Sequence, residues 1–449
     1  MTKIQNFETL ATTPLRRAAL TIAEAGLQAI DTKTAIKNGV HLDGDTLSIN
    51  ILSSSGMSSG LFSNSRELEN VGTFSMVGVK RLRVVAIGKC AVAASEALEE
   101  ILGNRLADGV AIDIRPSSAL KKIKAYQGTH PMPSEANVQA TEELVRMLRK
   151  CTKDDFVIFI ISGGGSTLLS MPEDVGYEDE AHIVNALFKA GATIEELNTI
   201  RKHLSLARGG YLAEYASPAK SVALIFSDVV GNDIEFIASG PTVKDDSTIE
   251  DAEKILAKYD VLRVCGMSGC GFTKTPKDDD IFKNIANILF LSNETALDAM
   301  RKKAIELGYS ATIKDSCLSG EASRIGVRIA KEIDEAYTKN VLLYGGETTV
   351  MVRGAGKGGR NQELALAALR FIKEGTLITP VASDGYDNTD AAGAICDASV
   401  KARAAELGLS EEDYLNRNDS YNFFQKTGAQ LQTGDTGSNV SDLVIAIKE

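Results

Sequence analysis

The sequence predicts an α/β protein with two domains. Short runs rich in Val and Ile alternate with amphipathic helical stretches along most of the chain. Continuous apolar runs separated by helices are typical of largely parallel β-sheets that are covered on both faces. The chain has 449 residues, which exceeds the size at which a single hydrophobic core stops growing. Two domains are therefore the natural expectation.

Apolar runs of strand length follow one another in order along the chain. The N-terminal stretch up to Ile30 instead carries Ala, Leu and Ile at helical spacing and predicts a helix. The predicted strands are Arg83 to Ile87, Val110 to Ile114, Phe156 to Ile161, Val222 to Phe226, Ile288 to Leu291, Val341 to Tyr344, Leu377 to Ala382 and Leu443 to Ile447.

Two stretches interrupt this alternation. Between Ser53 and Ser75 the chain is rich in Ser, Gly and Asn, which predicts a mobile insertion or lid rather than core. Polar, charged sequence follows Gly240-Pro241 and returns between Cys265 and Asp280. We expect a domain boundary in this zone, which divides the chain into residues 1–245 and 246–449.

The composition excludes several classes of protein. The net charge of -11 and the pI of about 5.2 argue against nucleic-acid binding, which needs a basic face. No apolar run reaches the length of a membrane span, and residues 1–10 lack the apolar core of a signal peptide, so a cytoplasmic protein is expected. Six scattered cysteines without a CxxC pair, and four histidines without an HExxH motif, indicate reduced thiols and no zinc site.

The stretch from Tyr344 to Glu363 is unusually rich in glycine. Gly345-Gly346 follow an apolar strand, and Gly354-Ala355-Gly356-Lys357-Gly358-Gly359-Arg360 comes later. Because glycine loses much conformational freedom on folding, a dense run indicates tight turns or a close approach of backbone to a ligand. Lys357 and Arg360 favour an anionic ligand. The alternative is a hairpin tip whose charges face water.

Glycines also follow other predicted strands, at the positions where open parallel sheets bind ligands. Gly88-Lys89 follows one strand, and Lys89 either reaches a phosphate or starts a helix as a solvated residue. Ser162-Gly163-Gly164-Gly165-Ser166 feeds a helix N-terminus, where free N–H groups form an anion site. The GxxxxGK[ST] pattern of a Walker A loop is absent.

Further polar residues follow the same logic. Asp228 and Asp384 each follow a predicted strand, where a carboxylate either holds Mg²⁺ or caps the next helix. Asn198 and Arg201 lie on a predicted helix that ends in cations, with a solvated basic face as the alternative. His130 is flanked by the prolines of a fixed turn and is as consistent with a structural role as with a catalytic one.

These motifs together resemble the glycerate 2-kinases of the MOFRL family, also called class II glycerate kinases. The resemblance extends from about Arg16 to the C-terminus. The matching segments are Gly88-Lys89, Ser162 to Ser166, Asn198-x-x-Arg201-Lys202, Ser227 to Gly231, Ser239-Gly240-Pro241-Thr242, Gly358 to Glu363, Ser383-Asp384-Gly385, Ala392-Gly393-Ala394 and Thr436 to Val440.

The resemblance implies an N-terminal Rossmann-like domain with a mainly parallel sheet, a C-terminal MOFRL α/β domain, and a cleft between them. It also implies that ATP, with Mg²⁺, phosphorylates D-glycerate at the 2-hydroxyl. In the family pattern, Lys89 and Arg360 are the favoured catalytic residues. We expect Asp228 and Asp384 to act beside them, by binding Mg²⁺ or by orienting the hydroxyl. The expected phosphate- and substrate-binding residues are Ser162, Gly163, Gly164, Gly165, Ser166, Asn198, Arg201, Gly358 and Gly359.

The sequence departs from the family pattern in places. Arg208 stands where Lys is usual, Asp435 replaces Pro, and the segment from Ser53 to Ser75 is longer than usual. These departures concern substrate recognition more than reaction class. The sequence does not determine the oligomeric state, and a homodimer stays open.

Two other functions stay open at this point. An NAD(P)H-dependent hydroxypyruvate reductase is one, since residues 354–359 satisfy GxGxxG. That fingerprint should open a βαβ unit with an acidic residue at the end of the next strand, whereas Glu374 precedes the strand that begins at Leu377. A binding protein for a small acid is the other, although several separate anion loops exceed what one carboxylate needs.

Overall fold

The α/β prediction is confirmed. The computed structural model of the chain describes residues 2–52, 68–117 and 119–449. These residues form two compact units, each with its own sheet. We call the described residues between Thr32 and Phe290 the N-terminal unit, and Leu291–Glu449 together with residues 2–31 the C-terminal unit.

The N-terminal unit contains a six-stranded sheet. Every strand pair with a defined register in this sheet is parallel, as the apolar runs predicted. In spatial order the strands are Ile123–Gln127, Leu106–Asp113, Arg81–Ile87, Asp155–Ile161, Lys220–Phe226 and Ile285–Leu291.

A separate antiparallel sheet of three strands belongs to the same unit. Its strands are Val40–Asp43, Thr46–Leu52 and Leu68–Ser75. The expected lid from Ser53 to Ser75 is therefore wrong for its last eight residues, which form a full strand. Phe74 of this strand lies edge to face on Phe156, with 5.5 Å between ring centroids. Residues 53–67 of that expectation lie outside the described residues.

Helices cover the parallel sheet and bury its apolar side chains. The core joins Val85, Ile87, Val157 and Phe159 of the central strands to Leu144 of a flanking helix, all fully buried. The described helices of this unit are Thr32–Gly39, Ala91–Leu102, Glu135–Leu148, Gly165–Leu168, Tyr177–Lys189, Ile194–His203, Tyr211–Ala216, Ile249–Lys258, Val261–Cys265 and Asp279–Phe282, with 3₁₀ turns at Gly103–Arg105 and Ile237–Ser239.

The C-terminal unit has a mixed sheet of seven strands. Asp442–Lys448 runs antiparallel to both of its neighbours, so this sheet departs from the largely parallel expectation. The reason is the path of the chain, which enters this strand at the edge where Asn340–Gly346 and Thr376–Ala382 end. The main path is Ser310–Leu318, Asn340–Gly346, Asp442–Lys448, Thr376–Ala382, Gly393–Ala394 and Gln430–Leu431, and Cys396–Asp397 also pairs with Thr376–Ala382.

The predicted N-terminal helix is present, as Pro14–Ala29, but it lies in the C-terminal unit. Arg16 is 7% exposed and forms a bidentate pair with Asp397, at 2.6 and 2.9 Å. The units thus divide at Phe290 and again at Asp31, whereas the sequence placed one boundary at residue 245. Arg16 and Asp397 are 381 residues apart, a separation that no local sequence pattern encodes.

Seven further helices complete the described part of the C-terminal unit. They are Phe7–Leu10, Asn293–Glu306, Ala322–Glu335, Arg360–Leu369, Ala398–Glu406, Glu411–Asn416 and Ser420–Thr427. Among the helices of the described ranges, none combines the length and the apolar character that crossing a lipid bilayer requires.

Replacing Arg16 tests the attachment of the N-terminal helix. Arg16→Met is expected to lower the free energy of unfolding by about 3 kcal/mol, because it leaves the buried carboxylate of Asp397 without its cation. The measurement is urea unfolding followed by circular dichroism. Arg17→Met is the matched control, since Arg17 pairs with Glu8 on the surface and its loss should cost less than about 1 kcal/mol. Equal losses in both variants would contradict the assignment.

Candidate active site

One edge of the parallel sheet carries the predicted polar residues of the N-terminal unit. Ile87 pairs with Ile161, and Ile161 pairs with Ile225, so three adjacent strands end at the same level. Gly88-Lys89, the loop at residues 162–166 and Ser227-Asp228 follow these ends directly. The parallel register therefore brings three sequence motifs together.

A very close backbone contact joins the first two of these loops. Gly88 has a φ of +113°, and a methyl group on it would lie 2.1 Å from Oγ and 2.5 Å from the carbonyl oxygen of Ser162. The amide of Lys89 donates to the carbonyl of Gly163 at 2.9 Å. Only glycine fits position 88, because it supplies both the positive φ and the missing side chain.

Residues 162–166, which we call the glycine cradle, present free backbone donors. The N–H groups of Gly163, Gly164 and Ser166 have no hydrogen-bond acceptor among the described residues. Gly164 has a φ of +80°, a left-handed conformation that turns the chain sharply. Successive unpaired N–H groups in such a turn form a concavity that binds anions. The cradle prediction therefore agrees with the local geometry.

Two cations without partners among the described residues belong to this region: Lys89 lies over the cradle, and Arg201 is close enough to His130 to act on its pKa. Lys89 is half-buried, and its side chain passes over Gly164, where a methyl group would lie 3.2 Å from its Cγ. Arg201 comes from the helix Ile194–His203, and burial and then the neighbouring Arg208 lower its pKa to about 10. Within the described residues, neither side chain has a hydrogen bond or an ion pair. A desolvated cation without a counter-ion is costly, so this arrangement favours an anionic ligand.

His130 also belongs to this site. A methyl group on Gly164 would lie 3.3 Å from Cδ2 of its ring, so His130 and Lys89 share the space above the cradle. His130 is exposed to solvent, yet partial desolvation by the surrounding protein, and then repulsion from Lys89 and Arg201, lowers its pKa to about 4. The sequence left its role open, because nothing along the chain shows that residues 130 and 164 meet.

Asp228 lies on the other flank of the cradle. A methyl group on Gly163 would be 1.9 Å from Oδ2 of Asp228, so the carboxylate occupies the space that a side chain at position 163 would need. Among the described residues, no group of three or more His, Cys, Asp or Glu side chains forms a metal site. Mg²⁺ commonly takes one or two carboxylates together with phosphate oxygens, and a single carboxylate beside an anion cradle fits that pattern.

Two expected binding residues support the cradle through contacts within the protein. Ser162 is 4% exposed, and its Oγ donates to the carbonyl of Ile87 at 3.2 Å. Asn198 is 2% exposed, and its Oδ1 accepts a 2.7 Å hydrogen bond from Ser239. Ser239 follows Ala238, whose Cβ would be 2.6 Å from a methyl group on Gly165. Ser162 thus ties the cradle to the end of the neighbouring strand, and Asn198 fixes the 3₁₀ turn that packs against Gly165.

Arg208, one of the departures from the family pattern, is fully buried. It forms an ion pair with Glu180 and donates to the carbonyl of Arg201 at 3.2 Å. These contacts make Arg208 a support for the helix end that carries Arg201.

In the C-terminal unit, Arg360 lies where three strand termini meet. Gly346 and Ala382 both pair with Asp442. Arg360 Nε donates to Asp442 at 2.5 Å, and Nη1 forms an ion pair with Glu347. Burial opposes the charge of Arg360, but these carboxylates outweigh it and raise its pKa. The guanidinium is thus held in one orientation.

The helix that begins at Arg360 is capped by a distant carboxylate. Asp387 is 3% exposed and accepts hydrogen bonds from the backbone N–H groups of Asn361, at 3.0 Å, and Gln362, at 2.7 Å. Burial raises the pKa of Asp387, which those N–H donors oppose. The same Asp387 touches Gly359, where a methyl group would lie 2.1 Å from its carbonyl oxygen.

The glycines around Lys357 pack closely against other residues of the C-terminal unit. Methyl groups on Gly354 and Gly356 would lie 2.5 and 2.4 Å from the carbonyl oxygen of Arg417, and one on Gly358 would lie 2.2 Å from Oγ of Ser420. None of these glycines has a positive φ. The loop leads from a strand into the helix at Arg360, so it is not a hairpin tip either.

Lys357 and Asp384 have partners of their own. Lys357 Nζ lies 3.7 Å from the ring centroid of Tyr421 and 3.8 Å from Asp390. Asp384 is half-buried, and its Oδ1 accepts a 3.0 Å hydrogen bond from the N–H of Tyr386. Asp384 therefore stabilises a turn in the C-terminal unit, whereas Asp228 lies in the N-terminal unit.

Comparison with known families agrees with the motifs. Residues 18–266 match a family described as "Domain of unknown function (DUF4147)", and residues 340–442 match the MOFRL family. The first match alone spans more than half of the chain. The chain belongs to the DUF4147/MOFRL family. The resemblance inferred from the sequence is thereby confirmed.

Individual relatives are named for two different activities. The chain is 38% identical to the D-glycerate 2-kinase of Thermotoga maritima, over 84% of this chain and 92% of the relative. A crystal structure of glycerate kinase from the same organism covers 96% of this chain and 99% of its own, with a TM-score of 0.80 and 33% identity. A putative hydroxypyruvate reductase of Agrobacterium vitis is 35% identical over 81% of this chain and 86% of the relative.

Filling the gap at Gly163 tests the cradle. Gly163→Ala must displace the carboxylate of Asp228 or the cradle itself, because the new methyl group would lie 1.9 Å from Oδ2. Inorganic phosphate is expected to raise the thermal unfolding midpoint of the wild-type protein and to raise that of Gly163→Ala by less than half as much. Gly176→Ala is the control, since its methyl group meets nothing closer than 3.7 Å. Equal stabilisation of all three proteins would refute the cradle as an anion site.

Proposed function

We propose that the chain is an ATP-dependent glycerate 2-kinase, which phosphorylates the 2-hydroxyl of D-glycerate and yields 2-phosphoglycerate and ADP. The glycerate kinase names of its relatives support this proposal. The observation that carries it is that, among the described residues, Lys89 and Arg201 have no partner and three N–H groups of the cradle have no acceptor, with Lys89 lying over Gly164. Phosphoryl transfer depends mainly on positioning and on neutralising charge, which such a site supplies.

The cradle and Lys89 bind the phosphoryl group that is transferred. During the step, the 2-hydroxyl oxygen forms a bond to the γ-phosphorus, and the bond from that phosphorus to the bridging oxygen breaks. ADP leaves with the electron pair of the broken bond, and the hydroxyl loses its proton. The flexible Lys89 side chain moves with the phosphoryl group and stabilises its negative charge, while the N–H groups of Gly163 and Gly164 are fixed hydrogen-bond donors.

Arg360 is the second catalytic residue of the proposal. Its Nε and Nη2 are held by Asp442, which is 4% exposed, while Nη1 pairs with Glu347, whose side chain is 45% exposed. A substrate oxygen replaces the exposed carboxylate more readily than the buried one, because less desolvation has to be reversed. Asp442 therefore orients Arg360, and Glu347 occupies the position of the anion.

Mg²⁺ fits Asp228, which lies against Gly163 at the flank of the cradle. When bound, the ion neutralises charge on the β- and γ-phosphates. Asp384 is the other carboxylate that the sequence points to, and its Oδ2 accepts no hydrogen bond from the described residues. Gly358 and Gly359 contribute indirectly, through the position of Arg360.

The reductase activity named for the Agrobacterium vitis relative finds no specific support. A dinucleotide fingerprint needs glycines that leave room for a pyrophosphate at a tight strand-to-helix turn. Here Gly354 and Gly356 face the carbonyl of Arg417, and residues 347–359 separate the strand from the helix. The kinase is therefore the better interpretation.

A direct assay separates the two activities. The purified protein, incubated with ATP, Mg²⁺ and D-glycerate, is expected to form 2-phosphoglycerate. Enolase converts this product but not 3-phosphoglycerate, so coupling through enolase alone distinguishes the two. Oxidation of NADH by hydroxypyruvate without ATP, in the absence of any 2-phosphoglycerate, would sink the kinase proposal.

Two alanine variants test the proposed catalytic cations. Lys89→Ala and Arg360→Ala are each expected to lower kcat on the order of a hundredfold or more, since each removes charge stabilisation of the transition state. Initial rates at saturating ATP and D-glycerate measure the effect.

Folding controls accompany these variants. Lys80→Ala and Arg370→Ala remove exposed cations elsewhere and should keep kcat within about twofold, in line with small effects of exposed charges. Arg360→Lys retains a charge for Asp442 but lacks the bidentate fork, so it should fold and remain impaired. Near wild-type turnover in folded Lys89→Ala or Arg360→Lys would show that the assignment is wrong.

A further inference from the structure

The segment that carries His130 is fastened to the glycine cradle. Asn137 is fully buried, and its Oδ1 accepts the N–H of Thr129 at 2.8 Å. Its Nδ2 donates to the carbonyl oxygens of Thr129 and Thr167, both at 3.0 Å. Thr167 directly follows the cradle, so one buried amide holds the two loops together. His130 is therefore placed beside Gly164 by a dedicated contact.

The charges around the ring all have the same sign. Its own segment, residues 129–134, and the cradle contain no charged residue. Lys89 faces the ring from the loop after strand Arg81–Ile87, and Arg201 faces it from the helix Ile194–His203. Among the described residues, no carboxylate pairs with the ring. Desolvation and these two cations together hold the pKa of the imidazole well below its ordinary value, so the ring is neutral at neutral pH.

A neutral imidazole in this place is a proton acceptor, and its strength depends on what the cations bind. Lys89 and Arg201 are also the groups that an incoming phosphate or carboxylate neutralises. Once an anion is bound, their repulsion of a proton on His130 weakens. The imidazole therefore becomes more basic when the anionic substrates are in place.

We infer that His130 is the general base of the phosphoryl transfer, and that anionic substrates switch it on by neutralising Lys89 and Arg201. This inference rests on the proposed function. The 2-hydroxyl proton passes to a ring nitrogen of His130 while the hydroxyl oxygen bonds to the γ-phosphorus. The bond to the bridging oxygen breaks, ADP leaves with its electron pair, and imidazolium then releases the proton to solvent.

A titration of His130 tests the coupling without any turnover. The chain has four histidines, so ¹³C-histidine labelling gives few signals, and His130→Gln identifies the one that matters. In the free protein the His130 signal is expected to titrate near pH 4 and to stay constant between pH 5.5 and 8, as a pKa of about 4 requires. Inorganic phosphate should raise the midpoint by at least about one pH unit, with the other three histidines as internal references.

The outcome of this titration is decisive in both directions. A midpoint in the free protein near the ordinary value of about 6.5, or a midpoint that phosphate leaves unchanged, overturns the inference. A low midpoint that rises with phosphate supports the coupling whether or not D-glycerate proves to be the substrate. The titration therefore separates failure of this inference from failure of the proposed function.

Kinetics of a variant test the proton transfer itself. His130→Gln is expected to lower kcat by about 10²-fold or more while KM for both substrates changes little, because general bases typically contribute this much to rate. The decline of kcat toward low pH in the wild-type protein should be absent in the variant. His182→Gln, at an exposed position of the helix Tyr177–Lys189, is the control and should retain wild-type kcat. A folded His130→Gln protein that keeps wild-type kcat in glycerate phosphorylation refutes the base assignment.

Discussion

The contact between Gly88 and Ser162 is the constraint on which the N-terminal site depends. It locks the ends of two adjacent parallel strands together, since a methyl group at position 88 would overlap the backbone of Ser162. Lys89 follows immediately and bonds through its amide to Gly163. The side chain of Lys89 is therefore delivered over Gly164 by the backbone. Loss of this contact would separate the cation from the free N–H groups of the cradle.

The site is recognised by missing partners rather than by an excess of positive charge. The chain carries a net charge of -11, and cations such as Arg16, Arg208 and Arg360 have carboxylate partners. Lys89 and Arg201 have none among the described residues. A protein with an acidic overall field keeps two cations unpaired only at some cost. An anionic substrate that pairs with these cations removes that cost and so gains binding energy. The same pairing weakens the repulsion that Lys89 and Arg201 exert on a proton at His130.

The strands and the polar motifs that follow them could be predicted from the sequence, because both depend on the local order of apolar and polar residues. Parallel register then brings Gly88-Lys89, the cradle and Asp228 together without further information. Other features depend on contacts between distant residues. The pairing of Arg16 with Asp397 and the meeting of His130 with Gly164 have no local signal. The sequence predicts that Ser162 and Asn198 bind the ligand, and it does not reveal that both are buried and bonded within the protein, Ser162 to the carbonyl of Ile87 and Asn198 to the hydroxyl of Ser239.

The glycine-rich loop before Arg360 has a structural role that composition alone does not reveal. Its glycines allow the loop to pack against Arg417 and Ser420, and Gly359 against Asp387. Asp387 in turn accepts the first free N–H groups of the helix that starts at Arg360. A side chain at Gly359 would collide with this cap, and side chains at Gly354, Gly356 and Gly358 would collide with Arg417 and Ser420. The close packing at Gly359 therefore fixes where the helix of Arg360 begins, and this structural requirement accounts for the glycine that precedes the arginine.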